Sequence, residues 1–201
     1  VRERIVSKRA LGRHDQPGAI VALEVNLSCP NLAGKSMFAH DAPAAAQVMA
    51  ATAVAGLPRW AKLSPNTDRL VQVATACAEA GADAVTLTNT LLGLVIDIET
   101  RRPVLGGGGG GVSGPGMGPI AVRAVWDVAR ALPQLPIIGA GGVCDADSAI
   151  QLLMAGASAV QVGTANFADP RPPQRVLDDL TRWCHDHGVT SVAELCGASH
   201  R

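Results

Sequence analysis

The chain has 201 residues, 48% of them hydrophobic, and its seventeen Lys and Arg balance seventeen Asp and Glu. That content suits a core within one domain over residues 1–201, and no apolar run approaches the roughly 20 residues of a membrane-spanning helix. The balanced charge, with no basic cluster among aromatic residues, excludes the usual footprint of a nucleic-acid-binding protein and favours a small, weakly charged ligand.

Strand and helix patterns alternate along the chain. Short aliphatic segments predict five strands, at residues 20–25, 60–63, 84–88, 136–138 and 159–162. Longer segments predict five helices, at residues 42–55, 68–80, 120–132, 146–155 and 172–186. Asp41 is placed to cap the first helix and Gly81 to end the second.

The strands are apolar on both faces and nearly all are followed by a helix, a pattern typical of a parallel sheet covered by helices. Two architectures fit. A doubly wound sheet needs about five or six strands, whereas a (β/α)₈ barrel needs eight and about 250 residues. The strand number favours the open sheet, while a start on Val1 followed by a polar segment favours a barrel that lacks its first strands.

A long connection over residues 91–118 interrupts the alternation and contains six consecutive glycines, Gly106 to Gly111. Connections of this length are usually functional or mobile.

Each predicted strand ends in a polar or glycine-rich group, and in a parallel barrel these ends meet on one face. The turns at 139–142 and 163–164 precede helical sequence and could offer backbone N–H groups to a phosphate, although such turns also occur without a ligand. Lys62 is the sole charge among Ala61, Lys62 and Leu63. It therefore needs an anionic or electron-rich partner, unless it extends into solvent from an edge strand.

Cys29 follows the first strand among small polar residues, Asn26, Ser28 and Asn31. A lone cysteine is more often a small packed hydrophobe, but these neighbours form a polar setting in which a thiol could exchange a proton. The five cysteines lack paired spacing, and the start has no signal peptide, so we expect free thiols and a cytoplasmic location. The Cys and His residues near the end lack a recognised zinc spacing, and no metal is predicted.

A family resemblance rests on several motifs in order. These are Asn26-Leu27-Ser28-Cys29-Pro30-Asn31, Ala61-Lys62-Leu63-Ser64-Pro65-Asn66, Thr88-Asn89-Thr90, Arg101-Arg102-Pro103, Ser113-Gly114-Pro115, Gly139-Ala140-Gly141-Gly142-Val143, and residues 156–166. The chain resembles class 1 dihydroorotate dehydrogenases, most closely their NAD-linked 1B catalytic subunits, from about Pro17 onward. The resemblance implies a (β/α)₈ TIM barrel of which about five βα units are present, the N-terminal strands being absent.

The resemblance also implies a function: FMN-dependent oxidation of dihydroorotate to orotate in pyrimidine synthesis. Cys29 is implied as the general base, while the substrate would be bound by Asn26, Asn31, Asn89 and Thr90. FMN would contact Asn26, Lys62, Thr88, Gly114, Gly141, Gly142, Gly163 and Thr164. Similar membrane-associated class 2 enzymes have serine in place of Cys29, and dihydropyrimidine dehydrogenases have histidine in place of Asn31.

The implied partners are a second copy of the full-length chain and an electron-transfer subunit, together forming a heterotetramer. FAD and an iron–sulfur cluster would lie on that subunit and pass electrons to NAD. Two alternatives remain at this point: a non-catalytic truncated fragment, or another flavin-dependent TIM-barrel oxidoreductase such as a dihydropyrimidine dehydrogenase.

Overall fold

The computed structural model describes residues 20–29, 37–169 and 171–201. The strands are β1 (Leu23–Asn26), β2 (Arg59–Lys62), β3 (Ala84–Leu87), β4 (Leu91–Gly93), β5 (Ile96–Asp97), β6 (Arg102–Pro103), β7 (Gly110–Val112), β8 (Ile137–Ala140) and β9 (Ala159–Gln161). The helices are α1 (Ala42–Thr52), α2 (Leu70–Glu79), α3 (Gly118–Ala131), α4 (Ala146–Met154) and α5 (Pro172–Asp186).

A five-stranded sheet in the order β1-β2-β3-β8-β9 forms the centre of the described chain, and every pair in it is parallel. Strands that follow one another in this sheet therefore lie side by side. In a doubly wound sheet the order in which strands are added reverses partway, so some consecutive strands are not neighbours. In a (β/α)₈ barrel each new strand lies next to the one before it. The order resolves the alternative that strand number left open and confirms the barrel-type α/β architecture.

Helix ends follow the predicted capping. The Asp41 carboxylate accepts a hydrogen bond from the backbone N–H of Ala44 at the start of α1, and Gly81, at a φ of +87°, follows α2. At α4, Asp145 and Ser148 form a capping box.

The helices bury one face of the sheet. Val85, Leu87 and Ile137 are each at most 1% exposed and belong to one core cluster with Val73 of α2 and Val125 of α3. Side chains alternate between faces along a strand, so the other face of the sheet carries the intervening residues. That second face includes polar side chains, and it leads to the functional site.

The connection after β3 is not an open loop. It contains two antiparallel pairs, β4 with β7 and β5 with β6, and β7 uses the last two glycines of the six-glycine run. Gly111 stands so close to the Thr90 side chain that an added Cβ would collide with it. The ordered pairing was not part of the sequence prediction, which had treated this segment as one long connection.

Candidate active site

A cavity of about 500 Å³ opens at the carboxyl ends of β2, β3, β8 and β9. Its wall includes all but one of the predicted flavin contacts, namely Lys62, Thr88, Gly114, Gly141, Gly142, Gly163 and Thr164, and two predicted substrate contacts, Asn89 and Thr90. These residues come from five separate segments of the chain, four of them at strand ends and the fifth, Gly114, just before α3. The parallel strands place them together because all of their carboxyl ends point the same way.

The glycine-rich end of the cavity is shaped by close backbone approach. Gly142 has a φ of +80°, and a Cβ added there would lie 2.6 Å from backbone atoms of Gly118, the first residue of α3. Gly163 differs, since an added Cβ would meet nothing within 4 Å. Gly142 is therefore required by the fold, whereas Gly163 keeps space open beside the cavity. Together they can bring backbone N–H groups to a phosphate.

Thr88 provides an independent test of whether a ligand fits here. Its hydroxyl oxygen is buried and has no hydrogen-bond partner among the described residues, and the residue lines the cavity. A buried polar group without a partner is costly, so a ligand that supplies one would be favoured. The residues present thus fit a phosphorylated, polar-ringed cofactor such as FMN.

The end of β1 is joined to the end of β3 by side-chain hydrogen bonds. Asn89 Nδ2 donates to Ser28 Oγ (2.8 Å) and to Asn26 Oδ1 (3.2 Å), and Ser28 Oγ donates to Asn26 Oδ1 (3.0 Å). Because Asn89 lines the cavity, this network attaches the Asn26 amide to its rim. The free thiol of Cys29 follows Ser28 directly and is partly exposed.

Not every predicted residue falls on the cavity wall. Asn26 and Cys29 are not part of its lining, and Asn31 lies outside the described residues. Residues that the sequence reasoning did not assign also contribute. Asn66 donates to the Thr90 carbonyl oxygen (3.0 Å) and accepts from the Leu92 N–H (2.8 Å), which fixes the segment after β3. Its place in the motif of residues 61–66 was the available signal.

Lys62 has the anionic partner that its position requires. Its Nζ lies 3.0 Å from Glu24 Oε1, and the two side chains are 26% and 25% exposed. Burial acts to raise the pKa of Glu24. Hydrogen bonds from Thr86, Gln161 and Lys62, with the charge of Lys62, outweigh it and hold that pKa below its ordinary value. The carboxylate is therefore ionised at neutral pH.

The described residues offer neither a metal site nor a membrane-spanning helix. Within 20–29, 37–169 and 171–201, no three His, Cys, Asp or Glu side chains are grouped so that they could hold a metal ion. None of the helices in those ranges has both the length and the apolar character needed to cross a membrane.

Comparison with known proteins identifies a family. The family profile described as dihydroorotate dehydrogenase matches residues 13–183. The chain is 48% identical over 189 residues to the "Dihydroorotate dehydrogenase B (NAD(+)), catalytic subunit" of Pelobacter propionicus, covering 93% of this chain and 62% of that protein. It is 48% identical over 195 residues to the protein of the same name from Desulforudis audaxviator, covering 96% and 63%. The chain thus spans about three fifths of the length of these curated relatives.

A solved structure agrees with the fold. The crystal structure of DHODH from Eimeria tenella, in complex with ferulenol, superposes with a TM-score of 0.73 at 25% sequence identity. The alignment covers 90% of this chain and 54% of that one.

Proposed function

The chain belongs to the dihydroorotate dehydrogenase family, and from this premise we propose that it carries the FMN site and the proton-accepting cysteine of an enzyme that oxidises dihydroorotate to orotate. The observation that carries the proposal is the cavity at the strand ends, where seven of the eight predicted cofactor residues and two predicted substrate residues, Asn89 and Thr90, share one wall. The cysteine segment is tied to that wall through Asn89.

Each group in the site has a proposed role. FMN, when bound, supplies the acceptor for the hydride that leaves carbon 6 of the substrate. The Cys29 thiolate takes the proton from carbon 5, and the amides of Asn26 and Asn89 with the Thr90 hydroxyl hydrogen-bond the pyrimidine ring, with Asn31 as a further contact. Lys62 provides a positive charge beside the flavin ring, while Thr88 and Gly114 contact the cofactor.

The phosphate of FMN is assigned to the glycine-rich end of the cavity. Backbone N–H groups at Gly141, Gly142, Gly163 and Thr164 can donate to its oxygens, and the N-terminus of α4 begins shortly after Gly142. The positive φ values of Gly141 and Gly142, +126° and +80°, are conformations that L side chains rarely adopt.

We extend the proposal to domain and partners. Residues 1–201 would contribute five of the eight βα units of one FMN-binding barrel. In the described chain, the edge strands β1 and β9 each pair on one side alone. The relatives' name includes "NAD(+)" and "catalytic subunit", which supports a partner subunit and NAD as the final acceptor. We propose that FAD and an iron–sulfur cluster lie on that subunit. A homodimer within a heterotetramer and a cytoplasmic location remain predictions.

The test is a Cys29 substitution in the protein expressed from its complete reading frame. Cys29→Ala should reduce turnover of dihydroorotate by about 10²–10⁴-fold, the usual contribution of a general base, while the flavin absorbance stays. Cys196→Ala is the matched control and should leave turnover unchanged, since Cys196 lines a separate cleft with Trp126 and His200.

Two results would contradict the proposal. One is a bound flavin that dihydroorotate does not bleach, which would remove the substrate assignment. The other is a Cys29→Ala variant with normal turnover, which would remove the base.

A further inference from the structure

The carboxylate of Glu24 connects four strands of the sheet. Its Oε1 accepts from Lys62 Nζ on β2 (3.0 Å), and its Oε2 accepts from Thr86 Oγ1 on β3 (2.7 Å) and from Gln161 Nε2 on β9 (2.9 Å). Glu24 itself lies on β1, so the bond to Gln161 joins the two edge strands of the sheet across the face opposite the helices. Three donors on three strands fix the position of this one carboxylate.

Two of the partners of Glu24 reach the cavity, whereas Glu24 does not. Lys62 and Gln161 are part of the cavity wall, whereas Glu24 and Thr86 are not. The Glu24 carboxylate can therefore affect a ligand in the cavity through Lys62 and Gln161, the two wall residues that it holds. Glu24 determines where the Lys62 ammonium stands and offsets its positive charge, an effect that is strong in a partly buried site.

We propose that Glu24 is a positioning residue that holds Lys62 and Gln161 at the cavity wall and thereby sets the electrostatic potential that the flavin ring of FMN meets. The inference rests on the proposed function and deepens it. A positive charge beside the ring stabilises the reduced, more negative flavin, and the Glu24 carboxylate moderates that charge. Loss of the carboxylate should therefore make the flavin easier to reduce.

The experiment measures the reduction potential of bound FMN in Glu24→Gln. We expect the equilibrium between oxidised and reduced flavin to shift at least tenfold toward the reduced form, which is about 30 mV for a two-electron couple. Asp127→Asn is the matched control, because it makes the same carboxylate-to-amide change in an exposed pair with Arg123 away from the cavity. Its potential should equal that of the unmodified protein.

A second readout does not need the cofactor. In flavin-free protein, reductive methylation needs a lysine amine that is free to react, and the Lys62 amine is held by a hydrogen bond to Glu24 Oε1 at 3.0 Å. Methylation of Lys62, measured by mass spectrometry and compared with the same lysine in the unmodified protein, should be several-fold faster in Glu24→Gln. If that variant does not fold, Glu24→Asp carries the test, since its shorter side chain moves the carboxylate away from Lys62 and should shift both readouts in the same direction by less.

The outcomes separate this inference from the function. A potential that does not move in a Glu24→Gln variant that binds FMN, or an unchanged methylation rate at Lys62, overturns the positioning role and leaves the proposed function intact. A change in thermal stability alone, with both readouts unmoved, assigns Glu24 a purely structural role and also overturns it. Failure of the unmodified protein to bind FMN contradicts the proposed function. The methylation rate of Lys62 in flavin-free protein still tests whether Glu24 holds Lys62.

Discussion

The two faces of the five-stranded sheet differ sharply in chemistry. The helix-facing side carries Val85, Leu87 and Ile137, all at most 1% exposed and all in one apolar cluster. The opposite side carries Glu24, Lys62 and other polar groups joined by hydrogen bonds that cross several strands. Since successive residues of a strand point to opposite faces, one short strand contributes to both.

The difference shows how stability and chemistry are divided in this fold. Burial of the apolar face provides the free energy of folding, and that face tolerates little change in side-chain volume. The polar face gains little from burial, since its groups must satisfy one another or a ligand. We therefore expect substitutions on the helix side to change the free energy of unfolding and substitutions around the cavity to change ligand binding.

The largest effect is expected for Leu152→Ala on α4. Leu152 is 1% exposed and packs over β8. A Cβ added to Gly139 of β8 would lie 3.1 Å from the Cβ of Leu152. Removal of a buried leucine leaves a cavity and should cost about 2–5 kcal/mol of unfolding free energy, measured by urea denaturation. Leu177→Ala on α5, at 55% exposure, makes the same change in a helix and should stay within about 0.5 kcal/mol. Equal costs at the two positions would contradict the view that the buried apolar cluster provides the free energy of folding.

The helix side could be predicted well because its signal is local. Helix α5 has the predicted bounds, 172–186, since Pro172 and Pro173 mark its start and its apolar residues recur with helical spacing. Helix α2 is shorter than predicted, Leu70–Glu79 against 68–80, because Asp68 and Arg69 form a turn before it. Errors of one or two residues at helix ends are ordinary.

The strand pairs within residues 91–112 could not be predicted in the same way. Glycine has no side chain with which to form an apolar periodicity, so the run Gly106 to Gly111 gives no strand signal. The pairing of β4 with β7 depends on close contacts instead, such as the approach of Gly111 to Thr90. Such contacts are a property of the folded chain.

The candidate site was predicted in part. Polar residues directly after strands, such as Asn89 and Thr90, line the cavity because parallel strand ends converge, while their roles in binding stay predictions. The role of Glu24 was missed, although a carboxylate within an apolar strand was visible. Its partners Lys62, Thr86 and Gln161 lie 38, 62 and 137 residues further along the chain, and no sequence spacing identifies contacts of that kind.

An intermediate effect is expected at the glycine-rich end of the cavity. Two glycines there distinguish a requirement of the fold from a requirement of ligand binding. Gly142→Ala should weaken FMN binding at least tenfold, about 1.4 kcal/mol, and also lower the thermal stability, because its Cβ would collide with the Gly118 backbone. Gly163→Ala should weaken FMN binding without a loss of stability, since the Cβ meets no protein atom within 4 Å. Flavin fluorescence titration and thermal unfolding provide the two measurements. If Gly163→Ala destabilised the protein as much as Gly142→Ala, the distinction would be wrong.

The smallest change in the free energy of unfolding is expected for Cys77 in α2, which we compare with Cys29 after β1. Burial raises the pKa of Cys77, which is 0% exposed in α2, from 9.0 to about 12, whereas Cys29 is partly exposed in the segment after β1. The folded state keeps the Cys77 thiol neutral while the unfolded chain ionises it near pH 9. Its contribution to stability is therefore complete below pH 9 and declines as the pH rises from 9 to 12.

Cys77→Ala should remove that part of the pH dependence. Between pH 8 and pH 10 the free energy of unfolding, measured by urea denaturation, should fall by about 1 kcal/mol less in the variant than in the unmodified protein.

Alkylation by iodoacetamide at pH 8 compares the two cysteines directly. It should modify Cys29 and leave Cys77 unmodified in folded protein, because the thiolate is the reactive form and the reagent needs access to it. Rapid alkylation of Cys77 under native conditions would show that the helix side opens far more readily than its burial implies. The two faces would then differ in polarity alone, without the difference in rigidity that close packing of the apolar side requires.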